Sequence, residues 1–493
     1  MFAFDNTYAH LPDRFFARVK PTAVAAPRIL AVNPAVAALV GASVEELASA
    51  SGAGVLAGNA LPDGADPIAI AYAGHQFGSF VPQLGDGRAI LLGEVVGKDG
   101  VRRDVQLKGA GRTPFSRGGD GRAALGPVLR EYIVSEAMAA LGIPTTRALA
   151  AVATGEAVFR DEMLPGAVLT RVAASHIRVG TFEFFAARED REGVATLASY
   201  ALQRHYPHAQ GSGNDALALL ECVVTAHATL VPQWLGVGFI HGVMNTDNTT
   251  ISGETIDYGP CAFLDEFDPR KKFSAIDRTG RYAFAQQPMI AQWNLARLGE
   301  ALLPLVDDNE QEAVRIATER LQRFGPQFDV QYTRVLRSKL GLSTEESGDR
   351  ALAEDLLGRM AENNVDYTLF FRRLCAAAAA DAAGAAPDAE IAAMFAEPNA
   401  WREWAERWRE RTGREPDATA SARVVAMRAA NPAFIPRNHR VEEALRAAEG
   451  NDFAPFETLV RVLARPFDEQ PEAAHLATPP QPEERVQRTF CGT

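Results

Sequence analysis

Cysteine is scarce: the 493 residues hold four, Cys222, Cys261, Cys375 and Cys491, and none falls in C-x-x-C spacing. That excludes a disulfide framework and a paired-cysteine zinc site, and it points to a reducing compartment. A surplus of positive charge is missing as well. The 50 Lys and Arg face 62 Asp and Glu, a formal net charge of −12, which excludes the broad basic face of a nucleic-acid or anionic-membrane binder. No run of about 18 apolar residues occurs, and Met1-Phe2-Ala3-Phe4-Asp5-Asn6 places no cationic stretch before an apolar one. Neither a membrane span nor a secretion signal is expected, and no internal repeat is visible. The reading is a soluble, cytoplasmic protein, and the abundance of Ala and Arg suggests a GC-rich bacterial source.

Apolar material is plentiful. At 47% hydrophobic residues the chain can bury a large core, and its length exceeds the size at which one core stops growing, so two or more lobes are expected. Residues 1–60 mix loops with a short helix, for which Ser43 before Val44-Glu45-Glu46 is an N-cap signal. Arg88–Glu94 and Arg103–Gly109 read as strands around Gly97-Lys98-Asp99-Gly100, a hairpin that puts Lys108 at a strand end. A Gly- and Arg-rich loop runs to Gly126, and Pro127 opens a helix over Val128–Leu141. Strands near Ala148–Thr154 and Ala167–Arg171 precede a buried helix over Ala216–Val231. Helices are then expected over Pro288–Leu305, Asn309–Phe324, Ala351–Met360 and Tyr367–Ala383. Trp401, Trp404 and Trp408 mark one packed helix face, and the Pro- and Glu-rich tail Gln470–Thr493 reads as extended and mobile.

The chemistry concentrates in His241-Gly242-Val243-Met244-Asn245-Thr246-Asp247-Asn248, followed by Ile256-Asp257-Tyr258-Gly259. This resembles a protein-kinase catalytic loop, H-R-D-x-x-x-x-N, with the D-F-G metal Asp downstream, except that Val243 stands where the catalytic Asp belongs. Asn248 and Asp257 offer the hard oxygen donors that Mg²⁺ prefers, so nucleotide and metal binding are expected while ordinary phosphoryl transfer is in doubt. A strand lysine of the kinase kind, Lys108, needs a helical acid, and both Glu131 and Glu136 are in reach. Glycine loops at Gly85-Asp86-Gly87-Arg88 and Gly118-Gly119-Asp120-Gly121-Arg122, with Arg171 and Arg178, suggest a polyanionic ligand.

Three longer motifs carry a specific resemblance: Tyr72-Ala73-Gly74-His75-Gln76-Phe77-Gly78, Pro82-Gln83-Leu84-Gly85-Asp86-Gly87-Arg88-Ala89, and Leu107–Arg117. With His241–Asn248 and Ile256–Asp268 they resemble the SelO (selenoprotein O, YdiU) family of pseudokinase-fold protein adenylyltransferases over nearly the whole chain. The resemblance implies an α+β, two-lobed, protein-kinase-like fold with a mixed N-terminal lobe and a largely helical C-terminal lobe with a helical extension. The expected divisions are 1–60 as an N-terminal extension, 61–180 as the nucleotide-binding lobe, 181–385 as the lobe with the metal site, and 386–493 as helical extension and tail.

It also implies AMP transfer from a reversed ATP to Ser, Thr or Tyr hydroxyls of protein substrates, with Mg²⁺, or Mn²⁺ in its place, as the ion. Asp247 matches the proton acceptor, Asn248 and Asp257 the metal ligands, and Glu131 the acid paired with Lys108. Gly85, Gly87, Arg88, Lys108, Asp120, Gly121, Arg171, Arg178 and Asp257 match nucleotide-contacting positions. Cys491 matches a place where some members carry selenocysteine, a candidate redox thiol. Two alternatives are a conventional kinase and a catalytically inactive nucleotide-binding scaffold, the second favoured by Val243 and opposed by the charged residues kept around it.

Overall fold

The computed structural model describes residues 1–211, 213–382, 388–415 and 420–490. Strands cluster in the first 173 residues: β1 (Phe16–Arg18), β2 (Arg28–Val32), β3 (Ile68–Ile70), β4 (Gly74–Gln76), β5 (Ser79–Val81), β6 (Ala89–Val96), β7 (Arg102–Lys108), β8 (Ala123–Ala124), β9 (Arg147–Phe159) and β10 (Met163–Ala173). Seven of them lie side by side in the antiparallel order β1-β3-β6-β7-β10-β9-β2, with β8 paired to β10, while β4 and β5 form a separate hairpin. Residues 1–60 therefore supply both outer strands of the sheet.

The β6–β7 hairpin forms where the Asp-Gly turn predicts it. Gly97 donates its N–H to Val101 O at 3.0 Å, and Lys108 ends β7 opposite Ala89. The β9–β10 hairpin is longer than propensity suggests, because alanine-rich β9 pairs with β2 on one side and β10 on the other. Flanking partners on both edges override the weak strand preference of Ala.

The helix Leu125–Ala140 starts two residues before Pro127 rather than after it. First-turn N–H groups have no intrahelical acceptor, so proline is tolerated there. Leu129 and Ile133 of this helix join Ala148 and Leu169 of the sheet, and Val441, Leu445 and Leu459 from the helices Asn438–Glu449 and Ala454–Leu463, in one buried cluster. The C-terminal segment thus covers the helix that carries Glu131.

Helices dominate the second half. The central one, Asp215–Gly236, is capped by Asn214, whose side chain accepts from Ala216 and Leu217 N–H. It continues past Pro232, where the sequence suggested a stop: the missing N–H removes one bond of the last turn, and buried Trp234 and Leu235 hold that turn in place. Among the described residues it is the one helix long and apolar enough to cross a membrane, and 61% of its most apolar window is buried within the fold. Trp401, Trp404 and Trp408 are fully buried, as their spacing predicts, and the indoles of Trp404 and Trp408 donate to Leu352 O and Leu340 O, both at 2.9 Å.

The tail differs from expectation. Pro471–Leu476 forms a 3₁₀ turn, and buried Thr489 donates its N–H to Phe273 O at 2.8 Å and its hydroxyl to Pro260 O. Pro- and Glu-rich composition lacks a periodic signal, yet the bonds around Thr489 dock the segment on the loop just after Asp257. Cys491 lies outside the described residues. Cys222 and Cys375 are free thiols.

Lys339, on the helix Phe324–Leu340, is only 2% exposed and has no salt-bridge partner among the described residues. Burial pushes its ammonium down to about 7 from 10.5, and the faces of Phe371 and Tyr367, 4.1 and 5.1 Å away, offset part of that cost. A depressed folded-state value means that the unfolded chain binds the proton more tightly, so stability rises with pH between about 7 and 10.5. Lys339→Met is expected to raise stability at pH 7 by about 1–3 kcal/mol and to flatten that pH dependence, read by denaturant titration. Equal stability of the two proteins across the window would refute this.

Candidate active site

The chain leaves the central helix into β11 (Phe239–Ile240), makes an excursion over residues 241–261, and returns as β12 (Ala262–Phe263), which pairs antiparallel with β11. The functional loop is thereby closed at its base. Within it, buried His241 donates from Nε2 to Ile256 O at 2.9 Å, tying the start of the excursion to the residue before Asp257. Asn248 donates from Nδ2 to Val243 O at 3.0 Å, which leaves its Oδ1 free to accept. Asp257 itself sits at φ +62°, a left-handed conformation that Asp tolerates better than most residues and that marks local strain.

A cavity of about 740 Å³ lies between this loop and the sheet, within the range of small-molecule sites. Gly85, Gly87, Arg88, Lys108, Asp120, Gly121, Glu131, Arg171, Arg178, Asp247, Asn248 and Asp257, all singled out from the sequence, line it. At its floor Lys108 Nζ donates to Glu131 Oε2 at 2.5 Å and to Asp257 Oδ1 at 2.8 Å. Arg171 Nη1 donates to Glu131 Oε1 at 3.1 Å and to Asp257 Oδ1 at 2.7 Å, and Arg178 Nη1 reaches Asp257 Oδ2 at 2.5 Å. Burial opposes ionisation of Asp257, but Arg178, Lys108 and Arg171 together hold its carboxyl well below the usual carboxylate range.

The Lys108 partner is Glu131. Glu136, five residues on, faces a different neighbour set, accepting from Arg147 Nη2 at 2.6 Å, Asn33 Nδ2 at 2.6 Å and Ala148 N–H at 2.8 Å. Five residues turn a helix by about 140° beyond one full turn, so the two acids cannot serve the same lysine.

Asp247 differs from Asp257 in environment. Among the described residues no cation pairs with its carboxylate; Gln76 Nε2 donates to Oδ2 at 3.0 Å, and Oδ1 is buried with no hydrogen-bond partner. Burial pushes its carboxyl up to about 6, and the Gln76 bond and Arg178 offset only part of that. One carboxylate is therefore clamped by cations and its neighbour left basic, the division expected between a charge-binding group and a proton acceptor.

Elsewhere in the cavity lining Asp120 accepts from Arg160 Nη1 at 2.9 Å and from Arg122 N–H at 2.9 Å, and the Arg160 bond draws its carboxyl below the usual value. Gly121 sits at φ +68°, and a Cβ there would fall 2.1 Å from Gly111 O, so this wall of the cavity requires glycine.

The family model described as "Protein adenylyltransferase SelO" matches residues 1–464. The chain belongs to the SelO family. Relatives named "Protein nucleotidyltransferase YdiU" are 61% identical in a Bradyrhizobium sp., over 100% of this chain and 99% of the relative, and 60% identical in Methylorubrum populi with the same coverage. A third, in Rhizobium etli, is 59% identical over 100% of this chain and 97% of its own length. This SelO-family chain is accordingly an enzyme of the nucleotidyltransferase class.

Among the described residues of this SelO-family chain no group of three or more His, Cys, Asp or Glu forms a self-sufficient metal cage. Asp257 and Asn248 Oδ1, the latter left free by the Nδ2 bond to Val243, are nevertheless hard oxygen donors lining the cavity. Two such donors suit Mg²⁺ delivered with nucleotide phosphates, which complete its shell along with water.

Several contributors escaped sequence reasoning. Gln106 accepts from Arg171 Nη2 at 2.7 Å and donates to Asp86 Oδ2 at 3.2 Å, and Tyr72 lies under Arg178 with the guanidinium 4.9 Å from its ring centroid. The signal for Gln106 was present: it sits two residues before Lys108, on the same face of β7.

Proposed function

We propose that the chain transfers AMP from ATP to Ser, Thr or Tyr hydroxyls of protein substrates, with Asp247 as proton acceptor. The observation that carries the reading is the pairing of three cations, Lys108, Arg171 and Arg178, around Asp257 beside a cation-free, buried Asp247 in one cavity. Three cations against the carboxylates of Glu131 and Asp257 leave one positive charge over, in a protein whose formal net charge is −12. A polyphosphate would draw the cations from Asp257 and free that carboxylate, with Asn248, to hold Mg²⁺ or Mn²⁺. The bound ion would supply charge neutralisation at the phosphates.

In the reaction the acceptor oxygen bonds to the α-phosphorus, its proton passes to Asp247, and the bond from the α-phosphorus to the bridging oxygen breaks as pyrophosphate departs. Lys108, Arg171 and Arg178 offset the charge that grows on that leaving group. Val243 at the kinase base position supports a reaction centre other than the γ-phosphorus.

The reading also takes the sheet-bearing region around 61–180 and the helical region 181–385 as the two lobes of a kinase-like fold. Residues 386–493 are their helical extension and tail, 1–60 add edge strands, and the compartment is the cytoplasm. Incubation with α-labelled or γ-labelled ATP, Mg²⁺ and a total bacterial protein extract is the direct test. Label from the α position alone is expected on protein; label from the γ position would replace the reading with a kinase, and none from either would leave a nucleotide-binding scaffold.

A further inference from the structure

The segment Tyr72–Gly78 contributes more than cavity wall. Its core is the β4–β5 hairpin, with His75 opposite Phe80 and Gln76 opposite Ser79. Phe77 and Gly78 form the two-residue turn at φ +53° and +85°, the signs of a type I′ turn, although Phe rarely adopts the first of these. The strain is held from outside: Phe77 N–H donates to Asn245 Oδ1 at 3.1 Å and to Tyr282 OH at 3.2 Å, and Tyr282 OH donates in turn to Asn245 at 2.6 Å.

A second set of bonds fixes the hairpin on the residue before Asp247. His75 N–H donates to Thr246 Oγ1 at 2.7 Å, Thr246 Oγ1 donates to Glu183 Oε2 at 2.5 Å, and the other Glu183 oxygen accepts from His75 Nδ1 at 2.5 Å. Buried Glu183 belongs to the helix Val179–Ala186, whose Gly180 accepts from Ala73 N–H at 2.9 Å. The approach is so close that a Cβ on Gly74 would lie 2.7 Å from Asp247 Oδ1. Every contact converges on one result: the Gln76 amide is delivered to Asp247 Oδ2. As a carboxylate only accepts, the amide must donate.

We infer that Gln76 is a positioning residue for the AMP transfer, fixing the Asp247 carboxylate through its amide while the His75–Glu183–Thr246 bonds hold the hairpin that carries it. A carboxylate bonded at one oxygen has one orientation. Among the described residues no other side chain bonds either oxygen, so without that bond no side-chain hydrogen bond sets the carboxylate's orientation. The inference rests on the reading of Asp247 as proton acceptor, and the experiment separates the two.

Gln76→Met removes the donor and keeps the bulk; Gln76→Glu keeps the size and replaces the donor with a second acceptor. Maximal labelling rate and KM for ATP are measured with α-labelled ATP, Mg²⁺ and a total bacterial protein extract, beside the thermal midpoint. The expected result is a maximal rate lower by about 10–100-fold in both variants, with KM for ATP and midpoint unchanged. Full rate in Gln76→Glu overturns the inference, because packing alone then suffices. So does a loss that appears as raised KM for ATP, which would make Gln76 a nucleotide contact, or a loss that follows a lowered midpoint. If Asp247→Asn labels protein as fast as the unsubstituted chain, the proton-acceptor reading fails instead; an inactive Asp247→Asn beside a fully active Gln76→Met removes this inference alone.

Discussion

Asp247→Asn is expected to lower AMP transfer by about 10²–10⁴-fold while ATP still binds, the range typical of removing one general base. The substitution is nearly isosteric, and an Asn Oδ1 can still accept from the Gln76 amide that now meets Oδ2 at 3.0 Å. No ion pair among the described residues is lost either, since none of their cations bonds the Asp247 carboxylate. What disappears is the ability to take a proton. Binding should persist because the proposed polyphosphate cradle is Lys108, Arg171 and Arg178, whose contacts run to Glu131, Asp257 and the backbone oxygen of Asp247, which the Asn retains. The checks are α-label transfer to protein and ATP affinity by calorimetry. A variant that transfers at the unsubstituted rate would remove Asp247 from the chemistry, and one that no longer binds ATP would make it a binding residue.

The cavity was legible in the sequence to an unusual degree, and the reasons are local. Lys108 could be placed because an Asp-Gly turn fixes the register of β6 and β7, and a strand end is a defined point in space. Asn248 and Asp257 could be paired because His241 and the apolar Ile256 bracket them, and the His241–Ile256 bond is what that bracket becomes. The choice between Glu131 and Glu136 was not legible. Leu125–Ala140 is buried almost all round, between the sheet and two helices more than 300 residues later in the chain, so no apolar stripe distinguishes its faces. The partners of His75 and Gln76 were hidden for the same reason: Glu183, Thr246 and Asp247 lie more than 100 residues away in sequence. Composition misled at the tail, where Thr489 is anchored by its hydroxyl and its backbone N–H rather than by apolar spacing.

Asp257→Asn carries the other large expectation, with two opposite signs in one protein. Asp257 accepts from Lys108 at 2.8 Å, Arg171 at 2.7 Å and Arg178 at 2.5 Å, and an amide in its place can offer one acceptor oxygen while turning N–H groups toward a guanidinium. Breaking a buried ion pair at one partner costs about 3–5 kcal/mol, because the remaining charges stay buried. Arg171 and Arg178 are both almost fully enclosed, so the nucleotide-free protein should be destabilised by that order in denaturant titration. Added ATP should then restore more stability to the variant than to the unsubstituted protein, since phosphate oxygens take over the role of the missing carboxylate. Transfer should nonetheless fall by about 10²–10³-fold, the loss typical of a removed charge-stabilising group, as the proposed carboxylate ligand of the ion is lost. Unchanged stability would mean that Asp257 does not balance the three cations, and unchanged transfer would mean that the ion is held elsewhere. Recovery of stability by ATP without recovery of activity is the combination that assigns Asp257 both tasks: counter-ion to the cradle while it is empty, and ligand to the ion once the nucleotide has arrived.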